Sequence, residues 1–396
     1  MKTINFLLAV TLLYTVAGCS EKSPPAYTVI RLPAPTSDLA TSPRLSGGAG
    51  DELIISWLQP GGVNGAPAAL RYARYADNAW GEEATVVQGK NLFVNWADLP
   101  SVVPLGKGRL VAHWLVMSGA HAHAYDIALA ESHDAGRSWS SASTPHDDGT
   151  DTEHGFVSIY PADGAAGLLW LDGRKTVNEV GADPVANGMS LRSSTQLVDE
   201  LVCDCCQTDV AIAASGPIAV YRDRSVNEIR DIYVTRSIDG YWQSGVPVAH
   251  DNWQIDGCPV NGPSIAADNE HVAVAWFTAT IEPLVQLAVS TDSGKSFAAP
   301  IEIARGETLG RVGVEMLPNG DVAVSWLASV EPGIFAVRAQ RLSTDGSSGP
   351  VRLVAYASAL SVPQMARRGS QLIFAWTQSS ADSTSIETAV VDVAAL

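Results

Sequence analysis

Three of the chain's five cysteines, Cys203, Cys205 and Cys206, fall within four positions, and Cys258 follows in the next repeat at nearly the equivalent place. Two chemistries suit such a cluster. Thiolates ligate soft ions such as Zn²⁺ or Cu⁺, with His121, His123 or Met117 available to complete the set. In an oxidising compartment the same thiols pair as disulfides, and four cysteines allow three connectivities. A disulfide joining Cys258 to the cluster is the simpler expectation, and it requires no cofactor. A burst of charge follows the cluster: Arg222, Asp223, Arg224, Glu228, Arg230 and Asp231. Together with Arg174 and Arg311, these arginines could clamp a carboxylate or phosphate through paired, charge-assisted hydrogen bonds, with Asn261 beside them. The opposing expectation is an arginine–aspartate ring that neutralises itself and holds loops in place. For acid–base work the available groups are Asp98, Glu153, His154 and Glu228. Asp98, His154 and Glu228 are taken as the catalytic candidates. His154 leads them because it stands directly before a strand and follows the carboxylate-rich run Asp147 to Glu153.

These residues must be positioned by a repeating scaffold. A turn-bounded strand followed by an apolar strand ending in an aromatic residue recurs along the chain, with the aromatic at Trp57, Trp114, Trp170, Tyr221, Trp276, Trp326 and Trp376. Consecutive aromatics are 50 to 57 residues apart. That period, with four short strands per unit and little helical patterning, predicts an all-β, seven-bladed β-propeller. The last unit runs out of chain after its third strand, Ile386 to Val393. The N-terminal segment Tyr27 to Leu32 is therefore expected to supply the missing outer strand and close the ring. Strand alternation then sends the start of every inner strand, and every second-to-third connection, to one face. Asp98, His154, the cysteines, Asn261, Arg311, Arg174 and Arg222 to Arg230 all gather there, as expected of a ligand-binding mouth.

Ser132-His133-Asp134-Ala135-Gly136-Arg137-Ser138-Trp139 fits the pattern S-x-D-x-G-x-[ST]-W, and Ser290 to Phe297 fits it with Phe in place of Trp. On these motifs the chain resembles the bacterial sialidase-like (BNR, Asp-box) propellers over essentially all of its mature length. The resemblance implies a propeller fold, a possible exo-acting glycoside hydrolase and a clamp of three arginines for a substrate carboxylate. It departs from the family in blade number, since catalytic sialidase propellers have six. It also departs at the family's tyrosine–glutamate pair, because Tyr125, Tyr221 and Tyr233 read as strand aromatics.

Residues 1–19 combine a positive start, an apolar run from Phe6 to Val16 too short to span a bilayer, and a small-residue end before Cys19. Thr15 to Cys19 resembles a bacterial lipobox with Cys19 as the lipidated residue, and Ser20 resembles the outer-membrane sorting position. The expected organisation is a signal peptide (1–19), a tether (20–26) and one propeller domain (27–396). The expected product is a monomeric outer-membrane lipoprotein facing the periplasm or cell surface, touching membrane only through its anchor. A net charge of −17 argues against nucleic acid as a partner. Three functions fit: an enzyme acting on a small anionic or carbohydrate ligand, a binding or assembly module using the same face without turnover, and a metal-handling lipoprotein built on the cysteines.

Overall fold

The strand Leu53–Gln59 reads Leu-Ile-Ile-Ser-Trp-Leu-Gln and is buried along all but its last residue. A strand apolar on both faces must be covered on both, and radial packing of sheets against neighbouring sheets does this. The computed structural model describes residues 26–36, 39–48, 51–61, 66–120, 123–162, 164–176, 188–380 and 383–396. Residues 1–19 with Cys19, the tether up to residue 25, and His121 lie outside them. Among the described residues no helix is long and apolar enough to cross a membrane.

The expected seven blades are present as seven separate antiparallel sheets. Their innermost strands are Thr41–Gly47, Ser101–Gly106, His154–Ala162, Asp209–Ala213, Ser264–Asp268, Thr308–Met316 and Gln364–Arg368. The second blade pairs three strands, and a bridge from Leu129 to Ser143 stands where its fourth would be. The seventh blade is closed by Val29–Leu32, antiparallel to Thr384–Asp392, with Val29 opposite Val391 and Leu32 opposite Thr388. One ladder thus ties the N-terminal strand to the chain's end, and the third strand begins two residues before Ile386.

Trp57, Trp170, Trp276, Trp326 and Trp376 are fully buried. They pack across blade boundaries: Trp326, for example, shares a cluster with Phe277, Val285 and Leu287 of the preceding blade. Tyr221 replaces tryptophan in the fourth blade, and its hydroxyl donates to Asp199 at 2.6 Å, which satisfies the one polar atom the substitution buries. The turns at Ser132–Trp139 and Ser290–Phe297 fold alike. Asp134 accepts from the backbone and hydroxyl of Ser138, and Asp292 from those of Ser296. The serine opening each turn accepts the N–H of Gly136 or Gly294. Both turns lie on the face opposite the mouth.

The inner strands enclose an axial channel of about 340 Å³. Arg44, Asp209, Glu315 and Arg367 line it, beside serine and threonine hydroxyls.

Candidate functional site at the channel mouth

Three inner strands open with a bulge at the mouth. The pairing register breaks between Thr41 and Arg44, between Gly155 and Ser158, and between Gly310 and Gly313. Within these bulges Ser42, Phe156 and Arg311 take left-handed φ values of 54°, 53° and 53°. Bulges re-aim side chains, and non-glycine residues at positive φ persist only where their surroundings over-determine them. The effect is clearest at Arg311. Its backbone N–H donates to Asn261 Oδ1 at 2.9 Å, and a Cβ on the preceding Gly310 would stand 2.3 Å from that oxygen. Glycine at 310 is what lets Asn261 hold Arg311 in place.

The Arg311 guanidinium lies over the Trp96 ring, 5.0 Å from its centroid, and borders the channel. Its Nε and Nη1 have no hydrogen-bond acceptor, and among the described residues no carboxylate lies in ion-pair range of it. Burial lowers its pKa, with Cys206 acting in the opposite direction. Trp96 is 36% exposed and offers a ring face or edge at the rim.

The other arginines are differently employed. Arg222 is 1% exposed and gives Nε, Nη1 and Nη2 to the backbone carbonyls of Asn261, Arg230 and Phe277 at 3.0, 2.6 and 2.7 Å. It also packs over Trp253. Arg222 therefore ties the fourth blade to the fifth and is out of a ligand's reach, a correction to its reading as a ligand group. Arg224 forks onto Glu228 and reaches Asp204 at 2.9 Å, and Arg230 reaches the other Glu228 oxygen at 2.8 Å. Burial opposes ionisation of Glu228, but hydrogen bonds from the two arginines outweigh it and hold the carboxyl below its ordinary pKa. A carboxylate so fixed is a poor proton donor, so Glu228 is better described as the anion of an arginine–glutamate ring. Arg174 is bidentate to Asp172 at 2.7 and 2.8 Å. Here self-neutralisation, rather than a three-arginine clamp, describes what the side chains do.

The cysteines divide. Cys205 and Cys258 are disulfide-bonded across the fourth and fifth blades, while Cys203 and Cys206 are free, buried thiols whose sulfurs lie 2.7 Å apart. Burial favours the neutral thiol, yet the Cys206 hydrogen bond and the Arg222 and Arg230 charges pull the Cys203 pKa down to about 6. Cys206 is pushed well up, first by burial and then by its neighbour. We expect the chain beginning after Cys19 to show two free thiols under reducing handling that spares Cys205–Cys258. Exposure to a disulfide oxidant should remove both and lower the mass by about 2 Da. Intact mass with thiol counting checks this, and thiols that persist after oxidation would contradict it.

Asp98 also finds company that sequence reading missed. It is 1% exposed, and its Oδ2 accepts the Phe156 N–H at 2.9 Å and faces the Tyr125 hydroxyl at 3.5 Å. Tyr125 donates to Glu153, which lies 3.6 Å from the exposed His123. A tyrosine–glutamate pair thus exists at this face, formed by the first residue of a blade-two strand and the residue just before the blade-three inner strand. Strand-pattern reading classed Tyr125 as a packing aromatic, and it is one as well, stacked on Phe93 at 4.6 Å. Burial, then Asp98 and Glu153, drives the Tyr125 pKa strongly upward, so the hydroxyl stays protonated. Gly155 is obligatory here, since a Cβ would fall 2.0 Å from Asp98 Oδ2.

Burial raises the Asp98 carboxyl to about 7, and it does the same to Asp223 and Glu315. Through these three carboxyls the folded state holds protons that the unfolded chain releases between about pH 4 and pH 7, a contribution to stability that falls as pH rises and is opposed by His113, held down to about 3, and by Cys203, held down to about 6. Thermal melts are expected to show a higher Tm at pH 5.5 than at pH 8, with a shallower slope for Asp98→Asn. A Tm that rises from pH 5.5 to pH 8 would refute this.

His154 is completely buried at the start of its inner strand, stacked on His146. It is therefore closed to a substrate at the mouth.

No protein-family model matches the chain, and no curated protein does. Solved structures do. A protein of unknown function from Dyadobacter fermentans aligns with TM-score 0.54 and 13% identity over 93% of this chain and 98% of that one. NanB in complex with optactamide aligns with TM-score 0.50 and 9% identity over 92% of this chain and 70% of that one. A K499G mutant of the NanB sialidase from Streptococcus pneumoniae aligns with TM-score 0.45 and 10% identity, over 94% and 71%. At these identities the likeness shows a sialidase-like propeller fold and nothing finer.

Proposed function

We propose that the channel mouth binds a small anionic carbohydrate, with its carboxylate on Arg311 and its ring against Trp96. The observation that carries this reading is Arg311, whose Nε and Nη1 have no acceptor and which no carboxylate among the described residues pairs with, set at the opening of a polar channel in a chain of net charge −17. A cation without a partner in a partly dry site costs stability, and a ligand carboxylate would recover it. Calorimetry with N-acetylneuraminic, glucuronic and galacturonic acids against their neutral methyl glycosides tests the proposal. A preference for the acids supports it, and equal or absent binding of both classes overturns it.

The binding reading is favoured over turnover by burial. Asp98 and Tyr125 are each 1% exposed, so neither touches a substrate without rearrangement. Release of product from an aryl sialoside would reverse this preference and point to the Tyr125–Glu153 pair. The metal-handling reading is narrowed by the Cys205–Cys258 bond, which leaves Cys203 and Cys206 as its thiols. Anchoring through Cys19 at the outer membrane belongs to the same proposal and rests on residues 1–20. Acyl labelling that survives Cys19→Ala would sink it.

A further inference from the structure

The stacked pair His146 and His154 is the least explained feature of the molecule. The rings lie 3.8 Å apart and 8° from parallel, with both side chains nearly or wholly closed to solvent. Neither ring nitrogen of His154 has a hydrogen-bond partner, and Asp148 Oδ1 is likewise unpartnered. Buried polar atoms are almost always satisfied, so three orphaned atoms at one spot ask for a missing group.

The edges of the two rings are sorted. On one side Asp148 Oδ1 sits 3.3 Å from His146 Nδ1 and 3.2 Å from His154 Nε2. On the other, Asp126 Oδ1 sits 3.9 Å from His146 Nε2 and 3.6 Å from His154 Nδ1. Ligands that share a tetrahedral ion with bonds of about 2 Å stand a little above 3 Å apart, so the Asp126 side, at 3.6 and 3.9 Å, must close slightly to hold one. The Asp148 side cannot take a cation readily, because the Arg174 guanidinium already stands 3.4 Å from Asp148 and holds Asp172. Among the described residues no arginine or lysine pairs with Asp126. Asp126 is 30% exposed, and the backbone N–H of Ile127 donates to His146 Nε2 in a long hydrogen bond of 3.4 Å, which a bound ion would displace.

We propose that Asp126, His146 and His154 form a binding site for a divalent transition-metal ion of the Zn²⁺ class. Asp148, whose Oδ1 stands 3.3 Å from His146 Nδ1 and 3.2 Å from His154 Nε2, is placed to become the outer carboxylate once a ring tilts onto the ion. This outer arrangement fixes the tautomers and raises the basicity of the ligating nitrogens, as carboxylates do behind metal-bound histidines. Two imidazoles and one carboxylate leave a fourth position, reached from solvent past Asp126. Because the rings are nearly parallel, one must tilt for both lone pairs to meet a single ion, and His146, carried on a connection between blades, is the one free to do so. The site joins the third strand of blade two to the inner strand of blade three and is separate from Arg311, so it stands or falls independently of the carbohydrate proposal.

The test uses the chain beginning after Cys19, stripped with chelator and titrated with Zn²⁺ by calorimetry and with Co²⁺ by absorption spectroscopy. The expected result is one equivalent of metal with Co²⁺ bands free of thiolate charge transfer. Asp126→Asn and His146→Ala should each weaken binding at least tenfold with unchanged circular dichroism, and Cys203→Ser should leave it intact. Absence of binding, a thiolate spectrum abolished by Cys203→Ser, or full affinity in both Asp126→Asn and His146→Ala would overturn the assignment.

Discussion

Arg222→Leu is expected to lower the unfolding free energy by roughly 3 to 5 kcal/mol, the largest effect of any single substitution discussed for this chain. Three backbone carbonyls, at Asn261, Arg230 and Phe277, would each lose their donor in a place water does not reach. Leaving one buried acceptor unsatisfied costs about 1 to 3 kcal/mol, and partial relaxation keeps the sum below three times that. Arg222→Lys should rescue little, since one ammonium cannot reproduce a planar fork directed at carbonyls on two blades. The same change should raise the Cys203 pKa, because Arg222 is among the charges that hold its thiolate. Urea unfolding followed by tryptophan fluorescence measures the first effect. A loss under about 1 kcal/mol would mean that the three bonds are not what joins these blades.

The second large effect is functional. Arg311→Gln is expected to weaken binding of a carboxylated sugar about 100-fold while leaving its neutral counterpart within a factor of two, since hydrogen bonds to charged groups are worth about 1.5 to 3 kcal/mol. Glutamine is a suitable probe because the Asn261 contact is made by the residue 311 backbone and survives the change. Stability should change little or rise, because an unpaired, partly desolvated charge is removed. Trp96→Ala should weaken acidic and neutral sugars alike, by loss of the aromatic surface. Calorimetry on the two variants separates charge from stacking. Equal losses for acidic and neutral sugars in Arg311→Gln would show that the guanidinium does not read a carboxylate.

Legibility differed between scaffold and site for physical reasons that particular residues make plain. The aromatic at each second-strand end, from Trp57 to Trp376, must be buried between two blades, so its recurrence counts the blades directly. The missing outer strand after Thr384–Asp392 follows from the same count, and Val29–Leu32 fills it. The gathering of charge on one face also follows, because strand direction alternates along an antiparallel sheet whatever the side chains are.

What lay beyond the sequence is which charge meets which. Arg222, Arg224, Arg230, Arg174 and Arg311 look equivalent as letters, yet four of them spend their donors on carbonyls or carboxylates and one does not. Tyr125 and Glu153 are 28 residues apart, Cys205 and Cys258 are 53 apart, and each pair meets only because neighbouring blades set their loops side by side. The repeat by itself determined the number of blades, the closing strand and the face on which polar residues collect, because burial of an apolar strand tolerates shifts of an ångström or two. Only the tertiary structure decided the ion pairs, the disulfide and the orphaned histidine nitrogens, because hydrogen bonds, ion pairs and covalent bonds are made or lost over that same distance.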